Sequence, residues 1–250
     1  MRPPLIDRIR RTVNDWAGYD VVRYRDHPNA RLMQLFHFYQ VTAVLDIGAN
    51  RGMYARRLRR AGYSGEIYSF EPLPGPFSEM EVRRSRTQDE RWHLTRTAVG
   101  SHRGELALNV AANHGESSSA MPMLAAHVDA APHARYVGTQ VVPVGTLDEL
   151  VHVQLSAHAM PFVKIDVQGF EHEVLAGATE TLRRAVGLQV ELSIVPLYEG
   201  QHLYLDMIQE IQGLGFSLAQ VEPAFVDERS GRTLQIDGIF FRPDDAVGID

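Results

Sequence analysis

The segment from residue 43 to residue 52 constrains the fold more than any other part of this 250-residue chain. It consists of the apolar run Ala43-Val44-Leu45-Asp46-Ile47 followed by a turn containing Gly48 and Gly52, and a helical pattern begins at Met53. This order is typical of a parallel strand that leads into a helix. Glycines let the backbone approach a ligand there, and the first turn of the helix offers unpaired amides. The segment predicts an α/β fold with a ligand-binding turn after its first strand.

The alternation of apolar runs and helical patterns continues along the chain. The predicted strands are residues 43–47, 66–70, 93–99, 162–166, 188–192, 216–221 and 235–241, and the predicted helices include 53–61, 171–184 and 203–214. Strands that alternate with helices imply right-handed βαβ units and a mostly parallel sheet. The last two strands flank a turn and predict an antiparallel hairpin. We expect a mostly parallel seven-stranded sheet with an antiparallel C-terminal hairpin strand.

The length of the chain fits one α/β domain with an N-terminal extension. Apolar residues at helical spacing predict helices over residues 5–17 and 29–40. We therefore expect a helical cap at residues 1–40, a main domain at 41–243 and a tail at 244–250. Within the main domain, about 100 to 160 is a long insertion with enough apolar residues to order, including predicted strands at 105–110 and 140–144.

Composition bounds the partners and the compartment. The net charge of −6 gives no electrostatic reason to expect a nucleic-acid partner, because affinity for a phosphate backbone comes from clustered basic residues. No cysteine is present, which rules out thiolate metal sites and fits a reducing compartment. No apolar run reaches membrane-spanning length, and charges interrupt the N-terminus where a signal peptide would need an apolar core. We expect a cytoplasmic protein without a membrane span.

The turn after the first strand reads Asp46-x-Gly48-x-Asn50-x-Gly52. It lacks the glycine spacing of the dinucleotide fingerprint, which counts against a nicotinamide-dependent oxidoreductase. An acidic residue before the glycines would not favour a phosphate. It suits a cationic amino-acid head group, such as the ammonium of S-adenosylmethionine. These four residues are predicted to bind the cofactor.

Further cofactor contacts are predicted at the ends of the second and third strands. Glu71 follows the second strand, where an acidic residue commonly accepts the hydroxyls of a cofactor ribose. Pro72 ends that strand. Thr97 and Ala98 lie at the end of the third strand, where an adenine ring would be held.

Candidate catalytic residues follow from the fourth and fifth strands. Asp166 ends the fourth strand and therefore faces the ligand crevice of a parallel sheet, where it either accepts a proton from the substrate or holds the substrate or a metal. Glu191 lies inside the fifth strand, where a buried charge needs a partner, and we expect it beside Asp166. His172 is a candidate base. Asp166 and Glu191 are also the candidate ligands for Mg²⁺. Substrate contacts are predicted for Ser118, Tyr198 and Glu199.

Together these segments resemble the FkbM family of S-adenosylmethionine-dependent methyltransferases. The resemblance rests on four pieces, which are Asp46 to Gly52, Phe70-Glu71-Pro72, Lys164 to Glu171, and Glu191 with Tyr198-Glu199-Gly200. It covers about residues 40 to 242, and the order and spacing of the pieces make it specific. The chain departs from the family pattern at Gln168, where the family usually has Glu. This departure removes a charge beside Asp166 and counts against a shared proton-relay or metal role at the position.

The resemblance implies a Rossmann-like class I methyltransferase fold with S-adenosyl-L-methionine as cofactor. Asp46, Gly48 and Asn50 would contact the methionine end, Glu71 the ribose, and Asp166 would lie in the catalytic crevice. Family members methylate hydroxyl oxygens, often on sugars and polyketide-derived molecules. We therefore expect an O-methyltransferase acting on a sugar or glycan hydroxyl. A polyketide or other small-metabolite acceptor is one alternative, and a non-catalytic cofactor-binding or interaction module is another.

Overall fold

The structure is a computed structural model that describes residues 27–243 and residue 13. The helix predicted at residues 5–17, apart from position 13, and the tail at 244–250 lie outside the described residues. The first described helix is α1 (Pro28–Phe38), whose start is fixed by Nδ1 of His27 accepting a hydrogen bond from the Asn29 amide at 3.2 Å. Proline at the first helical position already has the helical φ.

The strands are numbered in chain order. They are β1 (Ala43–Ile47), β2 (Glu66–Phe70), β3 (Trp92–Thr95), β4 (Ala98–Val99), β5 (Gly104–Ala111), β6 (Tyr136–Gly145), β7 (Pro161–Ile165), β8 (Gly187–Ser193), β9 (Ser217–Asp227) and β10 (Arg232–Phe241). The remaining helices are α2 (Met53–Arg60), α3 (Pro74–Thr87), α4 (Ala125–Ala130), α5 (Leu147–Val151), α6 (Glu171–Ala176), α7 (Thr179–Arg184) and α8 (Tyr204–Gly213).

The main sheet has seven strands in the order β3-β2-β1-β7-β8-β10-β9. The first five are parallel, and β10 and β9 are antiparallel to their neighbours. The predicted seven-stranded sheet with its C-terminal hairpin is confirmed. Central strand β1 is buried on both faces, because alternate side chains such as Val44 and Leu45 enter separate apolar clusters on the two sides of the sheet.

The insertion forms a second, three-stranded sheet in the order β4-β6-β5. The single strand predicted at residues 93–99 is therefore wrong in extent. The chain turns after β3, where the Thr97 amide donates to the Thr95 carbonyl at 3.1 Å, and β4 then pairs with β6. The last two residues of the apolar run, Ala98 and Val99, pair with β6 in the second sheet.

The helix predicted at residues 171–184 is divided into α6 and α7 at Gly177. The break brings Gly177 so close to the backbone of Gly100 that an added Cβ would collide with the Gly100 carbonyl oxygen. Helix α7 has its own cap, because the carboxylate of Asp148 accepts from the Thr181 amide at 2.7 Å. The helical periodicity of the sequence continues across the break. The sequence does not show the close packing of Gly177 against Gly100.

Helix α1 packs at the end of the sheet where the parallel strands begin. Its Phe36 ring lies 4.7 Å from the ring of Phe162 in β7 and 5.4 Å from the ring of Tyr63 before β2. The described part of the predicted N-terminal cap thus lies opposite the carboxyl ends of these strands. Within residues 27–243, the structure has no helix long and apolar enough to cross a membrane.

Candidate active site

A cleft opens at the carboxyl ends of β1, β2 and β7, and the insertion covers one side of it. Eight of the residues predicted from the sequence line this cleft, namely Gly48, Asn50, Glu71, Pro72, Thr97, Ala98, Ser118 and Asp166. Leu73, Val99 and Phe170 add apolar surface. Ligands of open parallel sheets bind at this edge.

The turn after β1 is held against the end of β7. Gly48 has φ +74°, and a Cβ at this position would collide with the Asp166 carbonyl oxygen. Only glycine combines this backbone conformation with so close an approach. Gly52 has φ +72°, but it packs against Trp92 and Met80 and does not line the cleft.

The carboxylate of Glu71 is fixed by two backbone amides. Oε2 accepts from the Asn50 amide and Oε1 from the Leu73 amide, each at 2.8 Å. Burial raises the pKa of Glu71 to about 7, and the two amide hydrogen bonds oppose that rise. Each carboxylate oxygen retains a second lone pair, so the group can still accept hydrogen bonds from ligand hydroxyls.

Asp46 is fully buried and does not line the cleft. Its Oδ1 forms an ion pair with the ammonium of Lys164 at 3.3 Å, and its Oδ2 accepts from the Ser69 hydroxyl at 3.2 Å. Burial raises the pKa of Asp46, whereas Lys164 lowers it. The structure therefore gives Asp46 an internal partner, and its predicted contact with a cofactor stays a prediction.

One amide joins the two candidate catalytic carboxylates. Nε2 of Gln168 donates to Oδ1 of Asp166 and to Oε2 of Glu191, both at 2.8 Å. Gln235 donates to the same Glu191 oxygen at 2.8 Å. Burial and the neighbouring Asp166 raise the pKa of Glu191 well above its usual value. The side chain of Asp166, by contrast, is about one third exposed, and the residue lines the cleft.

This arrangement does not fit Mg²⁺ between the two carboxylates. Magnesium takes oxygen ligands in near-octahedral geometry. The carboxylate of Asp166 instead faces the Gln168 amide nitrogen and the Lys164 ammonium, and Glu191 faces two amide nitrogens. Donor groups thus occupy the space that a cation would need.

The remaining predicted residues lie outside the cleft. His172 has Nδ1 2.9 Å from a carboxylate oxygen of Glu210, and its ring stacks on His202 at 4.2 Å. Tyr198 is fully buried behind the cleft and donates from its hydroxyl to Oε1 of Gln168 at 2.7 Å. Glu199 is exposed in the adjoining loop.

Residues 46–218 match the family model described as "Methyltransferase FkbM domain". The chain belongs to the FkbM methyltransferase family. It is 27% identical over 163 residues to the 2-O-methyltransferase NoeI of Sinorhizobium fredii (strain NBRC 101917 / NGR234). That match covers 63% of this chain and 66% of NoeI, a little under two thirds of the relative's length.

Solved structures similar to this chain include two methyltransferases. Magnesium protoporphyrin IX methyltransferase (ChlM) from Synechocystis PCC 6803 with bound SAH has a TM-score of 0.49 and 11% identity, covering 97% of this chain and 90% of that one. An rRNA methylase from Streptococcus thermophilus has a TM-score of 0.46 and 13% identity, covering 89% of this chain and 98% of that one.

Two features of this FkbM domain were not assigned from the sequence. Lys164 is the only lysine beside 24 arginines, and it lies within 3.3 Å of both Asp46 and Asp166. Its rarity was the available indication. The second feature is the contact between the insertion and the turn after β7, where Ser119 Oγ donates to the Gln168 carbonyl at 2.6 Å. No pattern in the sequence links these two segments.

Proposed function

We propose that the chain is an S-adenosylmethionine-dependent O-methyltransferase whose acceptor is a hydroxyl of a sugar or glycan. The observation that carries the proposal is the presence of Glu71 and Asp166 in one cleft. We infer that Glu71 binds the nucleoside and that Asp166 takes the proton. Membership of the FkbM methyltransferase family supports methyl transfer, and the 2-O-methyltransferase activity named for NoeI supports an oxygen acceptor.

The cleft fits the proposed cofactor in its chemistry. Apolar side chains from Leu73, Val99 and Phe170 offer walls for a flat purine, and the small side chain of Ala98 also lines the cleft. Glu71 supplies carboxylate oxygens for the ribose hydroxyls. A mostly apolar pocket with a few fixed polar groups is the usual design of a cofactor site.

S-adenosylmethionine supplies the methyl group when it is bound. The residues of the chain must align the acceptor oxygen and remove its proton, because a neutral sugar hydroxyl is a poor nucleophile. Asp166 is the candidate base, since its carboxylate faces the cleft while Gln168 and Lys164 hold its orientation. Glu191 lies behind it and keeps its proton more readily, because burial and Asp166 raise its pKa.

The test is methyl transfer by the purified full chain from methyl-labelled S-adenosylmethionine. The acceptor panel should include free and lipid-linked saccharides, glycosylated metabolites, and hydroxylated metabolites without sugar. We expect label on a sugar hydroxyl, located by mass spectrometry and NMR. Label only on a sugar-free metabolite would favour the small-metabolite alternative. Cofactor binding without transfer to any acceptor would favour a non-catalytic module.

A further inference from the structure

Gln168 has an unusual backbone conformation for its residue type. Its φ is +57°, in the left-handed region, and Gly169 follows with φ +98°. A left-handed conformation is costly for glutamine and persists only where the surroundings impose it. The surroundings here are specific, because Ser119 Oγ donates to the Gln168 carbonyl at 2.6 Å and the flanking amides of Val167 and Gly169 donate to Glu171, each at 3.1 Å.

The strained turn aims the Gln168 side chain between two carboxylates. Both amide hydrogens and one lone pair of the amide oxygen are used, because Nε2 donates to Asp166 and Glu191 at 2.8 Å and Oε1 accepts from Tyr198 at 2.7 Å. An amide carries two donors and one acceptor oxygen, so it satisfies these three partners at once. Glutamate has the same length but would place a third carboxylate against the first two.

The groups around this position make the choice of a neutral amide consequential. The negative charges of Asp166, Glu171 and Asp237 act on Glu191 and raise its pKa, and the positive charge of Lys164 opposes them. Two carboxylates that approach one another need a shared proton, a cation or a donor between them. The Gln168 amide provides the donor, and the side-chain amide of Gln235 donates a further hydrogen bond to the same oxygen of Glu191.

We propose that Gln168 is a positioning residue that holds Asp166 toward the cleft and makes the carboxylate pair independent of a divalent cation. The proposal rests on the proposed function for its kinetic consequence, whereas its consequence for metal binding stands without it. The insertion takes part through Ser119, which fixes the turn from which the amide projects.

The experiment compares the wild-type chain with Gln168→Glu, Gln168→Met and the control Gln34→Glu, which makes the same change on an exposed face of α1. Mn²⁺ binding is measured by titration calorimetry and electron paramagnetic resonance without any acceptor. The titrations are made in a His202→Ala background, because His172, His202 and Glu210 form a separate group outside the cleft that could hold an ion. In that background we expect no site without further change, with Gln168→Met or with the control. We expect one Mn²⁺ site in Gln168→Glu, because three carboxylates then converge.

In turnover assays, we expect both Gln168 variants to lower kcat on the order of 10- to 100-fold, as misplacement of a catalytic group does, with little change in cofactor affinity. Mg²⁺ should restore part of kcat only in Gln168→Glu.

Thermal unfolding and cofactor binding establish that each variant is folded, and a variant that fails either is replaced by Ser119→Ala, which loosens the same turn. Metal binding between the carboxylates of the wild-type chain would overturn the proposal, as would unchanged kcat in both variants. Absence of turnover in the wild type would instead count against the proposed function, and the Mn²⁺ titrations would still decide this one.

Discussion

Lys164 places its ammonium nitrogen 3.3 Å from a carboxylate oxygen of Asp166 at the inner wall of the cleft. The same nitrogen lies 3.3 Å from Asp46, which is fully buried. Burial acts to lower the pKa of Lys164, but Asp166 and Asp46 outweigh it and raise that pKa above its ordinary value. The lysine therefore stays charged and joins a structural carboxylate to the candidate base.

Replacement of this lysine should strongly destabilise the fold. We expect Lys164→Met to lower the free energy of unfolding by about 3–5 kcal/mol, because it leaves the buried charge of Asp46 without its partner. The double variant Lys164→Met with Asp46→Asn should recover part of the loss, since it removes both charges. Urea unfolding of the variants measures both effects. A loss below about 1 kcal/mol in the single variant would contradict this account.

The second prediction separates the two candidate bases. We expect Asp166→Asn to lower kcat by roughly 10²- to 10⁴-fold, the usual contribution of a positioned base, while cofactor affinity stays nearly unchanged. His172→Ala should retain kcat within about threefold, because His172 contacts Glu210 and His202 outside the cleft. Steady-state kinetics with the identified acceptor provides the comparison. The reverse order of effects would make His172 the base.

The third prediction concerns the ribose contact of Glu71. We expect Glu71→Ala to weaken binding of S-adenosylhomocysteine by about 30- to 150-fold, because two hydrogen bonds worth about 1–1.5 kcal/mol each are lost. Glu66→Ala is the matched control, since Glu66 starts the same strand and is partly exposed at its other end. Titration calorimetry measures both. Equal affinities in the two variants would rule out the ribose role.

Most of the main sheet was predictable from the sequence, because short apolar runs and the turn residues beside them mark its strands. The apolar run at residues 43–47, the glycine turn and the acidic residue at position 71 each depend on neighbours within a few positions in the chain. Their meeting in one cleft follows from the general rule that parallel strands share a carboxyl edge. The position of Asp166 was predicted in the same way.

The parts that escaped prediction depend on contacts between distant segments. The division of the 93–99 run requires β6, about 45 residues further along the chain, to capture Ala98 and Val99. Asp46 points away from the cleft and pairs with Lys164. His172 lies outside the cleft and contacts Glu210 in α8. The periodicity of apolar residues indicates which face of a helix or strand is buried. It does not indicate which distant residue a polar side chain will contact.

The last prediction concerns Glu171, which caps the turn of Gln168. The side chain is buried, and burial raises its pKa from 4.5 to about 7 against the opposing amide hydrogen bonds. Between these two values the folded chain holds a proton that the unfolded chain has lost. The free energy of unfolding contributed by this group is therefore complete below about pH 4.5 and falls as the pH rises toward 7.

Glu171→Gln removes this titration but keeps an oxygen that accepts from Val167 and Gly169, both of which donate to Oε1. Relative to the wild type, the variant should gain up to about 3 kcal/mol between pH 4.5 and 8, since each pKa unit corresponds to about 1.4 kcal/mol. Denaturant unfolding at a series of pH values measures the difference. Glu173→Gln, two residues further along α6 and partly exposed, should follow the wild-type curve. A difference that is constant with pH would mean that Glu171 is ionised in the folded chain throughout this range.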